Sequence, residues 1–377
     1  MTDSVALITN LLNPLDEQFP APSPTTQEAA KSAVRAYVLD LFDQQAEEAL
    51  TWQPDPERLA ACQAIIEHPV FICGFMKSGT TFTVGLLDGH PQTVTMPGDS
   101  HLVERVTERF NRPGDYRETM HGWIIGRLHR LINPTNQRPF WLFGQERRPY
   151  LDFIHYAHHW RDTLPATPRS IFLVYVLAFA CANPAAKSSP RLWISKTPGN
   201  EHHAQTLLAM FPQARFIHLI RDPYPNLASM KKLQQAQGRL WDAKTITARL
   251  KDSLRQARKN LSQLGEARYR LLRYEDVLAD PEGELRNLAT WLGIAWDDRL
   301  TSPTVNGQPA TSNSMFRQRR VVGEVAGKST SRWRTVLAED DHQIALGALY
   351  PMARHFGYRW PDTWLDYLRA RLKSRPR

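Results

Sequence analysis

The amino-acid sequence predicts an α/β fold: a central parallel β-sheet flanked by helices, with a mainly helical insertion. Short apolar runs recur along the chain, "PVFIC", "RLWIS", "RFIHLI" and "RYRLL". Helix-forming segments such as "PNLASMKKLQQAQ" and "PEGELRNLATWLG" come after the last two, and strands alternating with helices build a parallel sheet covered on both faces. The first run opens directly into a glycine-bounded turn and then another helical segment. The 377 residues, 42% hydrophobic and 23% charged, have the length for a substantial core and exclude a disordered chain.

The N-terminal "MTDSVALITNLLNPLDEQ" has no basic start and soon meets Pro14, Asp16 and Glu17, so it is not read as a signal peptide. "APSPTT" reads as a linker or helix entry. Beyond it Ala30, Val34, Tyr37, Val38 and Leu41 keep helical spacing, which predicts an amphipathic helix to about Trp52. "PDPERLAACQAIIEHP" predicts a second helix with Pro56 in its first turn. "PVFIC" is a short buried strand, and residues 80–89 form a helix ended by Gly89. Residues 100–190 are rich in aromatics and histidine; within them "IFLVYVLAFAC" falls well short of the ~20 residues of a membrane span and reads as a buried core helix. Trp123, Trp141, Phe143, Tyr156 and Trp160 have two open readings, a stacking surface for a ring-bearing ligand or the insertion's own core. Residues 297–331 are polar and turn-rich, and a last helix begins at Trp333. The expected organisation is one domain, 1–377: N-terminal helices 1–68, a nucleotide-binding core 69–333 carrying an insertion at about 102–190, and a C-terminal helix and basic tail, 334–377.

Basic residues exceed acidic ones by 47 to 38, a net charge of +9, which favours anionic ligands. The basic residues are scattered among acids and no helix reads as a uniformly basic face, so nucleic acid is not expected as a partner. "RARLKSRPR" is a basic cluster and reads as a solvated tail. Cys62, Cys73 and Cys181 lack metal or redox spacing and read as reduced, buried thiols of a cytoplasmic protein. The histidines of "HYAHHW" lack zinc-ligand spacing, so no metal is expected.

Ligands of open α/β sheets sit beyond the carboxyl ends of the strands, so the residues just past each strand carry the chemistry. After "PVFIC" comes a loop with Gly74 and Gly79 at the spacing of a phosphate-binding loop. The usual lysine after the second glycine is absent; Thr80 and Thr81 stand there, and Lys77 lies inside the loop. After "RLWIS" comes Lys196, after "RFIHLI" comes Arg221, and after "RYRLL" comes Tyr274. Two lysines and an arginine beside a helix N-terminus call for a strongly anionic ligand. Each has a bland alternative: Lys77 as a turn residue, Arg221–Asp222 as a local ion pair, and His218 as a core or sheet-face histidine.

"KSGTTF" with "LLDGHPQ" after it resembles the 5′-phosphosulfate loop of the sulfotransferases that use 3′-phosphoadenosine 5′-phosphosulfate (PAPS), in their bacterial form. "RDPYPNLAS" resembles the family's 3′-phosphate motif, in which an arginine and a serine eight residues on hold the ribose phosphate. These are Arg221 and Ser229. "RYEDVLADPEGELRNLATWLGI" resembles the next strand–helix segment, with Tyr274 near the adenine. "GKSTSRW" resembles a late loop of the carbohydrate branch and implicates Lys328, Ser331 and Arg332. The resemblance implies a P-loop-type fold, PAPS as co-substrate, adenosine 3′,5′-bisphosphate as product, and no metal. It places Lys77, Ser78, Gly79, Thr80, Thr81 and Phe82 on the phosphosulfate. Backbone N–H groups from Ser78 to Thr81 would cradle the phosphate, and Lys77 would meet charge growing on the bridging oxygen.

Where the family's carbohydrate branch has Glu-x-His, this chain has "PGDSHLV". Asp99 and His101 take those places, Asp99 as the general base and His101 as its orienter or substitute. Lys196 would steady the sulfuryl oxygens or the acceptor. The implied reaction is in-line transfer to a hydroxyl, or an amine, of a small-molecule or carbohydrate acceptor. Two other classes stay open: a P-loop nucleotide or small-molecule kinase, and a non-catalytic relative that keeps the nucleotide site.

Overall fold

A computed structural model describes residues 2–17, 24–103, 116–132, 141–185, 187, 189–310, 332–360 and 362–373. Its centre is a five-stranded parallel sheet, with β1 Pro69–Cys73, β2 Thr93–Asp99, β3 Leu192–Lys196, β4 Arg215–Ile220 and β5 Tyr269–Arg273 in the order β2-β3-β1-β4-β5. Four strands are the predicted apolar runs. The fifth, β2, lies in "TVTMPGD", which sequence reading did not take as a strand. β2 is an edge strand whose register against β3 slips between Thr95 and Asp99, so Pro97 and Gly98 fall where the ladder is irregular.

β1 is central, so every residue of it is buried, and its alternation feeds two cores. Phe71 and Cys73 face a layer that includes Trp193 and Phe216, the N-terminal helices and helices Arg148–Thr163 and Pro168–Ala182. Val70 and Ile72 face helix Thr80–Asp88 and helix Pro281–Leu292. A third cluster, around Tyr224, Leu254 and Tyr350, joins helices Pro223–Ala236, Ala243–Leu264 and Glu339–His355. Among the described residues no helix is long and apolar enough to cross a membrane.

Helix starts obey one local rule. Asp55, Thr167, Asp222 and Asp280 each cap a helix through a side-chain oxygen, and a proline stands after each cap in the first turn. The helix after Arg221 therefore begins at Pro223, two residues before the helical segment read from "PNLASMKKLQQAQ".

The insertion is not a separate body. Its helices Tyr116–Ile132, Arg148–Thr163 and Pro168–Ala182 share one core with the sheet and the N-terminal helices. Trp123, Trp141, Phe143, Tyr156 and Trp160 are all buried there, which decides their role in favour of packing. The "HYAHHW" histidines diverge. His155 stacks on Trp52, His158 lies by Phe42, and His159 meets Trp160. All three cysteines are buried and free; Cys62 and Cys181 abut, Sγ to Sγ 2.6 Å.

Gly74, just past β1, has φ +124°, and a Cβ there would lie 2.4 Å from the Leu219 carbonyl oxygen of β4. Gly74→Ala is expected to cost about 1–3 kcal/mol through strain and forced backbone movement. A denaturant midpoint equal to wild type would show that the two strand ends can separate.

Candidate active site

The turn after β1 is shaped by its backbone. Lys77 has φ +67° and Gly79 φ +102°, both left-handed. A Cβ on Gly79 would lie 2.4 Å from the Tyr274 ring, so glycine is required both for conformation and for room. The Gly79 carbonyl accepts the Thr83 N–H at 3.0 Å, which starts helix Thr80–Asp88, and no side chain caps that helix. Its first-turn N–H groups have no intrahelical acceptors, an arrangement that favours a negative charge. Ser78 departs from the expected cradle: its N–H donates to the Phe75 carbonyl at 3.1 Å. Its hydroxyl is buried and accepts from Asn226 Nδ2 at 2.8 Å.

Cations from three strand ends converge on this turn. Lys196, the buried last residue of β3, donates from Nζ to Thr81 Oγ1 at 3.0 Å and pairs with Asp99 Oδ1. Arg221, after β4, donates to the Lys77 carbonyl at 2.8 Å, and its guanidinium lies 4.8 Å from the centre of the Tyr274 ring. Arg221 Nε is buried with no hydrogen-bond partner. A buried N–H in that state costs free energy that an anion's oxygen would recover. Burial, then the charges of Arg221 and Lys196, push the Lys77 ammonium down to about 8, with Asp99 opposing.

Asp99 reaches the same place from β2, opposite Lys196 in the strand register. Its Oδ2 lies 4.0 Å from His101 Nε2, and its backbone carbonyl accepts from Arg130. His101 adopts φ +47°, and its N–H donates to Thr197 Oγ1 at 3.1 Å. The turn is fastened on both sides. Ser100 Oγ lies 2.9 Å from Thr197 Oγ1 and 3.0 Å from Ser195 Oγ, and Arg127 donates to the Ser100 carbonyl at 2.8 Å. Lys77, Thr81, Asp99, His101, Lys196 and Arg221 thus meet at the carboxyl edge of the sheet.

A profile described as "Sulfotransferase family" matches residues 69–298, the span from β1 through helix Pro281–Leu292. The chain belongs to the sulfotransferase family. Omega-hydroxy-beta-dihydromenaquinone-9 sulfotransferase Stf3 of Mycobacterium tuberculosis is 27% identical over 303 residues, 73% of this chain and 77% of that protein. Protein-tyrosine sulfotransferase A of Caenorhabditis elegans is 22% identical over 294 residues, 77% of this chain and 67% of that protein. The solved sulfotransferase domain from the curacin biosynthetic pathway is 18% identical, with a TM-score of 0.49 over 79% of this chain and all of that domain.

Other residues named from sulfotransferase motifs fall around this centre in different ways. Tyr274 packs on Gly79, and the edge of Phe82 meets its ring, centroids 6.0 Å apart. Ser229 is buried in helix Pro223–Ala236 with its hydroxyl donating to the Pro225 carbonyl at 2.9 Å, so holding a phosphate requires it to rotate. Arg332 opens a short 3-10 turn, Arg332–Thr335, while Lys328 and Ser331 lie outside the described residues.

Sequence reading missed the residues that hold the sulfotransferase loop from behind. One oxygen of the buried Glu201 carboxylate accepts the N–H groups of Gly74 and Gly199, each at 3.0 Å. The other oxygen accepts the Ser253 hydroxyl at 2.5 Å. His218, read as a core or sheet-face histidine, is buried beside them: its Nδ1 lies 2.6 Å from the Tyr269 hydroxyl and its Nε2 3.5 Å from Ser253 Oγ. Glu201 stands in "PGNEHH", a string that reads as an exposed turn, and no local signal marks it.

Proposed function

We propose that the chain transfers the sulfuryl group of PAPS to an acceptor hydroxyl by direct in-line displacement, with Asp99 as general base and without a metal. The observation that carries this is the convergence of Lys77, Lys196 and Arg221, with Asp99, on an uncapped helix N-terminus, a crowding that also lowers the Lys77 ammonium. Cations crowded together are relieved when a polyanion binds. The N–H groups of Gly79, Thr80 and Thr81 cradle the 5′-phosphate. Lys77 faces the bridging oxygen, where charge grows as the sulfur–oxygen bond breaks, and so favours the transition state over the ground state. Arg221, with its buried Nε donor, takes the 3′-phosphate together with Ser229, and Tyr274 and Phe82 form an aromatic wall for the adenine. Lys196 bridges the donor side at Thr81 and the acceptor side at Asp99, which suits it to the sulfuryl oxygens in flight.

The acceptor hydroxyl gives its proton to Asp99 Oδ2, the oxygen turned toward His101, while Lys196 holds Oδ1. The relatives' names specify an omega-hydroxy dihydromenaquinone and a protein tyrosine, which are hydroxyl acceptors of different size. For this chain a small-molecule or carbohydrate hydroxyl is proposed.

The test is the 3′-phosphate, which separates this reading from any based on ATP. Adenosine 3′,5′-bisphosphate is expected to bind at least about tenfold more tightly than adenosine 5′-monophosphate, because one charge-assisted hydrogen bond contributes about 1.5–3 kcal/mol. Arg221→Ala should erase most of that preference and leave monophosphate binding nearly unchanged, as read by calorimetry at one salt concentration. Equal wild-type affinities would remove PAPS as the co-substrate.

A further inference from the structure

The C-terminal helix, Trp364–Lys373, carries four of the nine exposed large hydrophobic residues among those described. Tyr367 and Ala370 are buried; the helix seats Ala370 so close to Gly347 that a Cβ on that glycine would lie 3.1 Å from the Ala370 carbonyl carbon. The other side is apolar and open to water. Leu365, Leu368 and Leu372 have i, i+3, i+7 spacing and are 63%, 38% and 67% exposed, with Trp364 beside them at 55%. The helix is seated through Tyr367 and Ala370, and the three leucines lie outside that buried face.

The surface beside the ridge is cationic. Helix Ala243–Leu264 buries Ile246, Leu250, Leu254 and Ala257, and across from them Lys244, Lys251, Arg255 and Arg258 align at i, i+7, i+11 and i+14. This is a basic helix face after all. The scattered look of the charges in the sequence concealed it, because only the buried stripe sets the phase. The acid on its flank, Asp252, lies 3.8 Å from His202. Arg371 of the C-terminal helix belongs to the same field: Lys251 titrates below its ordinary value through burial and the charges of Arg255 and Arg371. Arg369 is exposed on the ridge's other flank, 3.6 Å from Asp366. Helix Glu339–His355, on which the C-terminal helix packs through Gly347, also borders helix Ala243–Leu264, and a groove of about 500 Å³ between those two has Arg255, Arg258, Lys259 and His355 on its walls, with Leu271 and Met352 among its apolar lining.

We propose that this face docks on the surface of a bilayer containing anionic phospholipid, the leucine ridge entering the headgroup–acyl boundary and the Lys251–Arg255–Arg258 stripe meeting lipid phosphates. Apolar ridge and cationic flank together are what an interfacial helix needs, whereas neither is a membrane span. A second copy of the chain would set cations against cations across the contact. A nucleic acid would use the basic stripe and leave the leucines idle. The inference stands independently of which acceptor the enzyme uses.

The test is flotation of the full chain with phosphatidylcholine vesicles, with and without phosphatidylglycerol as a third of the lipid. Binding is expected with the anionic vesicles alone and is weakened by salt. The triple change Leu365→Ser, Leu368→Ser, Leu372→Ser, and separately the pair Arg255→Glu, Arg258→Glu, should each lower partition by roughly tenfold or more. None of the five side chains belongs to the buried core, so melting temperature and nucleotide binding stay at wild-type values. Absence of flotation, or equal flotation on neutral vesicles, overturns the proposal. So does tighter binding to a duplex oligonucleotide that ignores the leucine changes, or a wild-type dimer in ultracentrifugation that those changes abolish.

Discussion

Asp99→Asn is expected to lower turnover by roughly 10²–10⁴-fold, the contribution of a positioned general base. The substitution is chosen for its shape. Asn keeps the planar side chain at the end of β2 and still offers an oxygen to Lys196, while Arg130 continues to hold the backbone carbonyl. What disappears is the capacity to take a proton. Single-turnover rates and calorimetric binding of adenosine 3′,5′-bisphosphate separate the two: the rate should fall and the affinity should stay. His101→Ala is the control, since His101 Nε2 lies 4.0 Å from Asp99 Oδ2. A mild Asp99→Asn beside a damaging His101→Ala would transfer the base to His101. Chelators should leave both variants and the wild type unchanged.

Lys77→Ala is expected to reduce turnover by on the order of 10²-fold or more, the scale of one lost transition-state donor. The change adds no backbone strain, because the φ of +67° is already borne by an L-residue. It carries a second signature in pH. Burial, Arg221 and Lys196 bring the Lys77 ammonium to about 8. In the free enzyme the charge is therefore full well below that pH and lost above it, so kcat/KM for the sulfuryl donor should fall as pH rises through about 8. The alkaline limb should be missing in Lys77→Ala. A limb that persists in the variant would belong to another group, and wild-type turnover in the variant would remove Lys77 from the chemistry.

The β1 turn was legible because its requirements are local. Gly74 and Gly79 each need a left-handed backbone, and apolar runs before the turn and a helix after it mark the loop's context. Lys77, Lys196 and Arg221 were legible for a related reason: in a parallel sheet every strand's carboxyl end lies on one edge, so residues just past the strands must be neighbours. Asp99 was found through its motif and not through its strand, since "TVTMPGD" with Pro97 and Gly98 does not read as β-structure. It is tolerated there because an edge strand needs hydrogen bonds on one side alone.

Other residues depend on distance that no local pattern encodes. Glu201 reads as a turn acid, and its burial against Gly74 and Ser253, far away in sequence, makes it the anchor of the loop. The insertion aromatics are the same residues whether they stack on a ligand or fill a core; the packing of helices Arg148–Thr163 and Pro168–Ala182 on the sheet places them in the core. The basic stripe of helix Ala243–Leu264 emerges once the buried side sets which way the helix is turned. The backbone of the β1 turn and the identity of the four apolar strands are short-range quantities, carried by neighbouring residues in the chain, whereas β2 is not. Burial, helix phase and the partners of a buried charge are set when distant segments exclude water together, and those the fold alone decided.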